Sequence, residues 1–480
     1  MPVENQESIK PAPWYKAPEY ILVLLIGLLY IVLIGKYRAF DLDSVWFLSF
    51  SHDFWLHHIV TDTLMHASFP QGMGGVIAFG KLAAIVQGIV LSIFGWSVPA
   101  SIALNVAFSV ASLTLIVKMS RKLGYSSHFT VCYVALLGLG EPFVLSGERA
   151  RYEFLPLFFL CLALWLLARK NITLAMFVAA LAAEVEPAAI VIPFAVFVAI
   201  LAQNRLTRSY KNLLPRIALG TAAALAVYFL LHPDIVSVVR SANWGVMNAG
   251  SFPGGFIGAF YIQTKRHWLD LAILLTAIAL SLRPAKRHLF TQWPALCFLT
   301  TCIISALLRW GNGSYFVFVT PFLCLFLIQA FYAERYWKWI VVAVLLTTLP
   351  QYAYRFYFWS AHPGFSQNDQ KQFAEAIAHA SAQIGKPPSD VMILGNFNLW
   401  YAHPDHFSNL DTRNFYTTTL HDADLLLCFD QLLDPILPPT NTPEITCSSV
   451  TNVSKPLGTM TVKGHQLQIR VPEKTPASTP

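Results

Sequence analysis

Apolar residues along this chain gather in long unbroken runs rather than in alternating patterns. Runs rich in Leu, Ile, Val, Phe and Ala fall near 20–35, 97–117, 129–147, 153–168, 172–184, 187–202, 216–232, 267–282, 290–308, 314–331 and 338–356. A bilayer's hydrocarbon core is crossed by about 20 mostly apolar residues in a helix, so the pattern predicts about eleven transmembrane helices. Pro187, Pro193 and Pro321 interrupt some of the runs, which membrane helices tolerate where neighbouring helices satisfy the freed backbone groups. The stretch 76–95 reads differently. Gly80 and Gly88 within it, Gly72, Gly74 and Gly75 just before it, and Lys81 and Gln87 among its apolar residues predict a helix lying along the membrane surface.

Past about residue 360 the pattern becomes that of a soluble domain. Lys371–Ile384 reads as an amphipathic helix with Phe373, Ile377 and Ile384 on one side, stopped by Gly385-Lys386-Pro387-Pro388. Val391–Gly395 and Leu425–Phe429 are apolar runs of strand length. Thr459–Val462 and Gln466–Val471 alternate around Lys463-Gly464 as a hairpin would. The tail 472–480, rich in Pro, Thr and Ser, has the composition of a disordered segment. The expected organisation is a leader at 1–19, a transmembrane domain at 20–358, a long external loop with surface-lying helices at 36–96 inside it, and an external α/β domain at 359–471.

Composition agrees. The 480 residues are 55% hydrophobic and 12% charged, against about 25% charged in a soluble domain. The net charge of +7 follows the membrane and is no nucleic-acid footprint. With the N-terminus in the cytosol, sixteen Lys and Arg fall in inward segments: the leader and the loops around 118–122, 169–170, 205–216, 283–287 and 335–338. Ten fall outward, at 36–38, 81, 149–151, 240, 265–266, 309 and 355. This is the positive-inside bias, and it holds only if 76–95 does not span. The first run follows Lys10 and Lys16 without a small-residue cleavage site, so it reads as an uncleaved anchor. The expected location is the inner (plasma) membrane, multi-pass, with the C-terminal domain periplasmic or extracellular. Five of the seven cysteines lie in predicted spans as small apolar fillers. Cys428 and Cys447 lie in the outer domain and could pair in an oxidising compartment.

The ionisable residues at the outer face carry the candidate chemistry. Asp41-Leu42-Asp43 follows the first span, where two carboxylates could hold a divalent cation or act as a general base, or could cap a surface helix. His58, Asp62 and His66 would share one helical face and could join a metal site with Asp41 and Asp43; the simpler reading is the wet side of an interfacial helix. No cofactor is otherwise indicated. Glu148-Arg149-Ala150-Arg151-Tyr152-Glu153 packs four charges between two spans, suited to a lipid phosphate with a carboxylate beside it, or to mutual ion pairing. Glu184 and Glu186 flank the turn before Pro187 as secondary candidates. Lys265 and Arg309 stand at outer ends of later spans and could hold an anionic headgroup.

These features together resemble the GT-C superfamily of membrane glycosyltransferases, in its branch of protein O-mannosyltransferases and aminoarabinose (lipid A) transferases. Asp41-Leu42-Asp43 looks like the family's acidic motif after span one. Arg151-Tyr152-Glu153 looks like its Arg-Pro-Asp turn, with Tyr for Pro and Glu for Asp. Ser314-Tyr315 followed by Pro321 is similar to its late Arg-Tyr…Pro segment, with Ser for Arg. The Pro-Pro pair usual in the long loop is replaced near Gln71-Gly72-Met73-Gly74. The resemblance implies sugar transfer from a polyprenyl-phosphate-linked donor to a lipid, glycan or protein acceptor at the outer face. It makes Asp41, then Asp43 and Glu153, the expected catalytic carboxylates. Glu148, Arg149, Arg151, His58, Lys265, Arg309 and Tyr315 are the expected substrate-binding residues. A transporter or lipid flippase is the first alternative, although it should place ionisable groups mid-span, and a non-catalytic envelope-assembly protein is the second.

Overall fold

The computed structural model describes residues 17–34, 42–58, 80–96, 98–140, 142–144, 151–204, 210–233, 268–308, 313–332, 367–395, 407–409, 423–429, 447–462 and 465–473, with isolated residues between them. In the membrane domain the helices are α1 (Pro18–Ile34), α2 (Leu42–His57), α3 (Lys81–Phe94), α4 (Val98–Lys122), α5 (Ser127–Gly138), α6 (Phe154–Ala168), α7 (Ile172–Val185), α8 (Val191–Asn204), α9 (Tyr210–Leu231), α10 (Trp268–Ser281), α11 (Trp293–Leu307) and α12 (Thr320–Tyr332). A helix or helical turn stands at each predicted run up to 314–331; the run 338–356 lies almost wholly outside the described residues.

Among the described residues three helices are long and apolar enough to cross a bilayer unaided, at Ala100–Lys122, Pro187–Asn204 and Lys211–Leu231. The pair Pro284–Thr291 and Trp293–Leu307, bent by 59°, is long and apolar enough only when counted together as one broken span. The other apolar helices run 10–17 residues. The run 129–147 does not continue as one helix, because α5 stops at Gly138. There the backbone tightens, with the Gly140 amide donating to Leu137 O at 3.3 Å.

The helices pack as membrane helices do. On α1, Val23, Ile26 and Tyr30 are buried while Leu24, Leu25, Leu28 and Ile31 are exposed; on α9, Leu219, Leu225, Phe229 and Leu230 are exposed. An apolar outer belt of this kind is costly in water and neutral in lipid. Close approach uses small residues: a Cβ on Gly220 of α9 would lie 2.3 Å from the Thr173 carbonyl oxygen of α7. Polar ties cross between helices as well, with the Tyr133 hydroxyl donating to Pro321 O at 2.9 Å.

Two helices occupy the loop after α1. The α3 helix, at 14 residues, is about 21 Å long, short of the roughly 30 Å hydrocarbon core. It packs on α2 through Gly88, where a Cβ would sit 2.4 Å from the Trp55 ring.

The C-terminal domain sets α13 (Gln367–Gln383) beside a five-stranded sheet ordered β2-β1-β3-β5-β4. Its strands are β1 (Ile393–Gly395), β2 (Phe407–Asn409), β3 (Leu425–Phe429), β4 (Ser454–Val462) and β5 (His465–Pro472). The β1 strand pairs in parallel with β2 and β3, while β5 runs antiparallel to β3 and β4. As expected, Phe373 and Ile377 are buried on the inner face of α13. Gly385 ends that helix at φ 74°, a conformation glycine adopts freely. Cys428 on β3 and Cys447 on the short α14 (Cys447–Val450) form a disulfide.

Candidate functional site

The turn before α6 is built inward. The Leu155 amide donates to Tyr152 O and that of Leu157 to Glu153 O, both at 3.1 Å, which starts the helix without a side-chain cap. The Glu153 carboxylate is therefore available to Arg151, whose Nε donates to Oε1 at 2.6 Å. Both side chains are buried, at 3% and 1% exposed. The Arg151 guanidinium also lies over the Phe47 ring of α2, 5.2 Å from its centroid, an attraction between a cation and an aromatic face. Asn105 of α4 donates to the Arg151 carbonyl at 3.4 Å.

Glu186 joins this pair from the turn between α7 and α8, outside both helices. Tyr315 donates to its Oε1 at 3.3 Å. Burial pushes its carboxyl up to about 8; the nearby Glu153 carboxylate adds to the rise, and Arg151 offsets part of it. Oε2 of Glu153 and Oε2 of Glu186 are both buried without a hydrogen-bond partner. Buried carboxyl oxygens of this kind are costly in a merely structural setting.

Tyr152 points the other way and serves as scaffold. Its ring packs on Phe47, 4.7 Å between centroids, and its hydroxyl lies 2.9 Å from that of Ser51. Ser51 donates to Gln87 of α3, and Gln87 in turn to Ser101 of α4. This polar chain ties the α6 turn to α2, α3 and α4 behind the acidic pair. Burial pushes the Tyr152 phenol up, so it stays a neutral donor. Gly80, at φ 83°, brings the start of α3 against the same ring, since a Cβ there would sit 2.6 Å from it.

Glu184 has a structural part that the sequence did not reveal. Its Oε1 accepts from the Lys81 amide at 2.9 Å and its Oε2 from the Leu82 amide at 3.2 Å, so it caps α3 from 103 residues away and complements the helix dipole. His232 Nε2 approaches Oε1 at 2.9 Å, and Lys81 Nζ donates to Leu231 O at 2.5 Å. On α2, the His52 ring meets Trp96 edge-on at 4.9 Å and Trp400 of the C-terminal domain at 5.6 Å.

Of the expected site residues, Arg151, Glu153 and Tyr315 converge, with the secondary candidate Glu186. Asp43 stands in the first turn of α2. Asp41, Asp62, His66, Glu148, Arg149, Lys265 and Arg309 lie outside the described residues, as does the side chain of Asp43. The face expected to begin at His58 needs correction: α2 ends at His57, and His58 is exposed with φ 59°. A left-handed residue closes the helical turn, so His58 itself stands outside α2, and the residues between it and Asp62 lie outside the described residues. Among the described residues no group of three His, Cys, Asp or Glu is arranged to hold a metal.

Solved structures share this architecture. Archaeal oligosaccharyltransferase AglB from Archaeoglobus fulgidus, in complex with an inhibitory peptide and a dolichol-phosphate, superimposes with a TM-score of 0.52 at 13% identity, covering 87% of this chain and 70% of that one. This is the GT-C membrane fold. ArnT from Cupriavidus metallidurans, bound to undecaprenyl phosphate, is similar at a TM-score of 0.48 and 12% identity over 95% of this chain and 98% of that one. No protein-family model and no curated protein sequence matches the chain.

Proposed function

We propose that this GT-C protein is a glycosyltransferase that moves a sugar from a polyprenyl-phosphate-linked donor to an acceptor hydroxyl at the outer face of the membrane. The observation that carries the reading is the buried convergence of Arg151, Glu153, Glu186 and Tyr315, with one oxygen of each carboxyl left unpaired. The fold shared with AglB, a structure that holds a dolichol-phosphate, supports a lipid-phosphate donor. The Cys428–Cys447 disulfide supports an oxidising compartment for the C-terminal domain.

In the reaction the acceptor oxygen bonds to the anomeric carbon as the bond from that carbon to the phosphate oxygen breaks. The bonding pair leaves on the polyprenyl phosphate, and the hydroxyl proton passes to a carboxylate. Asp41 is the proposed base, with Asp43 and Glu153 the next carboxylates to test. The charge growing on the leaving phosphate calls for a cation, for which Arg149, Arg151, Lys265 and Arg309 are the proposed donors. Glu153 then fixes the Arg151 fork, and Tyr315 holds the neighbouring Glu186.

The test is the lipid-linked sugar content of membranes from cells lacking the chain, read by mass spectrometry. A polyprenyl-phosphate sugar should accumulate, disappear on return of the wild type, and persist with Asp41→Asn expressed at the same level. An unchanged lipid profile on deletion sinks the proposal. Clearance by the Asp41→Asn protein removes Asp41 from the mechanism.

A further inference from the structure

The end of the helical bundle remote from the acidic site holds a cationic recess that the proposed reaction does not use. It is an open depression of about 430 Å³ lined by Tyr20, Lys118, Arg121, Lys122, Trp165 and Arg169. Lys122 lies seventeen residues beyond Asn105 along α4, about 25 Å of helix, which is nearly the depth of a bilayer core. Three helices contribute: Tyr20 from α1, the cations at 118–122 from α4, and Trp165 with its neighbour Arg169 from α6.

The walls are ordered and the charge is unbalanced. Arg121 is held by Glu19, with Nη2 2.6 Å from Oε1, and its guanidinium lies over the Tyr20 ring at 4.8 Å. Ser127 donates to the second oxygen of the same carboxylate at 2.6 Å, so Glu19 is saturated. Arg169 lies over the Trp165 ring at 5.1 Å. Lys118, Lys122 and Arg169 are exposed, and none of the three pairs with a carboxylate among the described residues. Four cations facing one carboxylate, in a concavity walled by two aromatic rings at a bundle end, form a receptor for phosphate oxygens. Scattered snorkelling cations would point apart over the rim; these line one recess from two helices.

We propose that this recess is a second, separate phosphate site, taking the phosphate of an anionic phospholipid in the adjacent leaflet or a soluble phosphate of similar size. Lys118, Lys122 and Arg169 supply the charge, and Glu19 fixes Arg121 at the back wall.

The test is photo-crosslinking of the full chain in vesicles of phosphatidylcholine doped with a diazirine-bearing phosphatidylglycerol, the labelled peptides being located by mass spectrometry. Label should concentrate on the segments around 118–122 and 165–169. It should fall at least about tenfold in the K118Q/K122Q/R169Q variant, and it should weaken in the wild type as salt rises from about 0.05 to about 0.5 M. Suppression by millimolar inorganic phosphate assigns the site to a soluble phosphate, and persistence assigns it to the lipid. Equal labelling by a diazirine-bearing phosphatidylcholine overturns the proposal, as does salt-independent labelling of the wild type. The salt series and the choline comparison need only the wild type, so they decide the matter even if the triple variant folds poorly.

Discussion

The Tyr315 hydroxyl donates a hydrogen bond to Glu186 across 129 residues of sequence, at 3.3 Å, and so joins the segment just before α12 to the carboxyl in the turn between α7 and α8. The bond favours the ionised form of a carboxyl that burial otherwise keeps protonated.

This relationship sets a pH dependence. The native carboxyl keeps its proton up to about 8, while the unfolded one, near 4.5, has released it. Between those values the native state binds more protons, so stability falls as pH rises across the window, by up to a few kcal/mol. Thermal unfolding in detergent at pH 5 and pH 8 should show the wild type losing more of its midpoint than Glu186→Gln, whose side chain does not titrate. Equal losses in the two proteins would falsify the assignment of Glu186 as the titrating group.

The Arg151–Glu153 pair should behave as a unit. Truncating either partner leaves a buried charge and costs about 3–5 kcal/mol. The double variant Arg151→Met/Glu153→Leu should lose clearly less than the two single losses added together. A full double-mutant cycle on unfolding midpoints measures this, and strict additivity contradicts a coupled pair.

Gly88 should tolerate no larger side chain while Trp55 is present. Gly88→Ala places a methyl 2.4 Å from the indole, and overpacking of this kind costs about 1–3 kcal/mol. Trp55→Leu should restore part of that loss. A Gly88→Ala protein as stable as the wild type would show that α2 and α3 are not closely packed there.

Trp400 of the C-terminal domain touches α2 through His52. It is fully buried and meets His52 edge-on. Trp400→Ala should cost about 3–5 kcal/mol locally and should speed limited proteolysis of the C-terminal domain. Unchanged cleavage kinetics would mean that other contacts hold the domain.

The transmembrane helices were legible because a segment in lipid must satisfy its own backbone, so a long apolar run has few other choices. The amphipathic α13, strands β1 and β3 and the final hairpin were legible from periodicity and a Lys-Gly turn. Two kinds of feature were not. The three-residue β2 is too short to carry a periodic signal. Glu184 reads from sequence as a secondary candidate beside Glu186 because its partners, the first amides of α3, stand 103 residues earlier in the chain; only tertiary contact separates the helix cap from the carboxyl raised to about 8. Charge density and then the family resemblance drew attention to Arg151-Tyr152-Glu153, but neither revealed that Tyr152 turns away from the acids to join Ser51.

The order of strands bears on how the protein is made. Among the described strands the last in sequence, β5, lies inside the sheet between β3 and β4, and β4 pairs only with β5, so it stays unpaired until β5 has emerged. A chain delivered across a membrane from its N-terminus would finish inserting its helices before this sheet could close. Closure of the sheet therefore waits on β5, so the strands made before it stay incompletely paired until that segment has crossed.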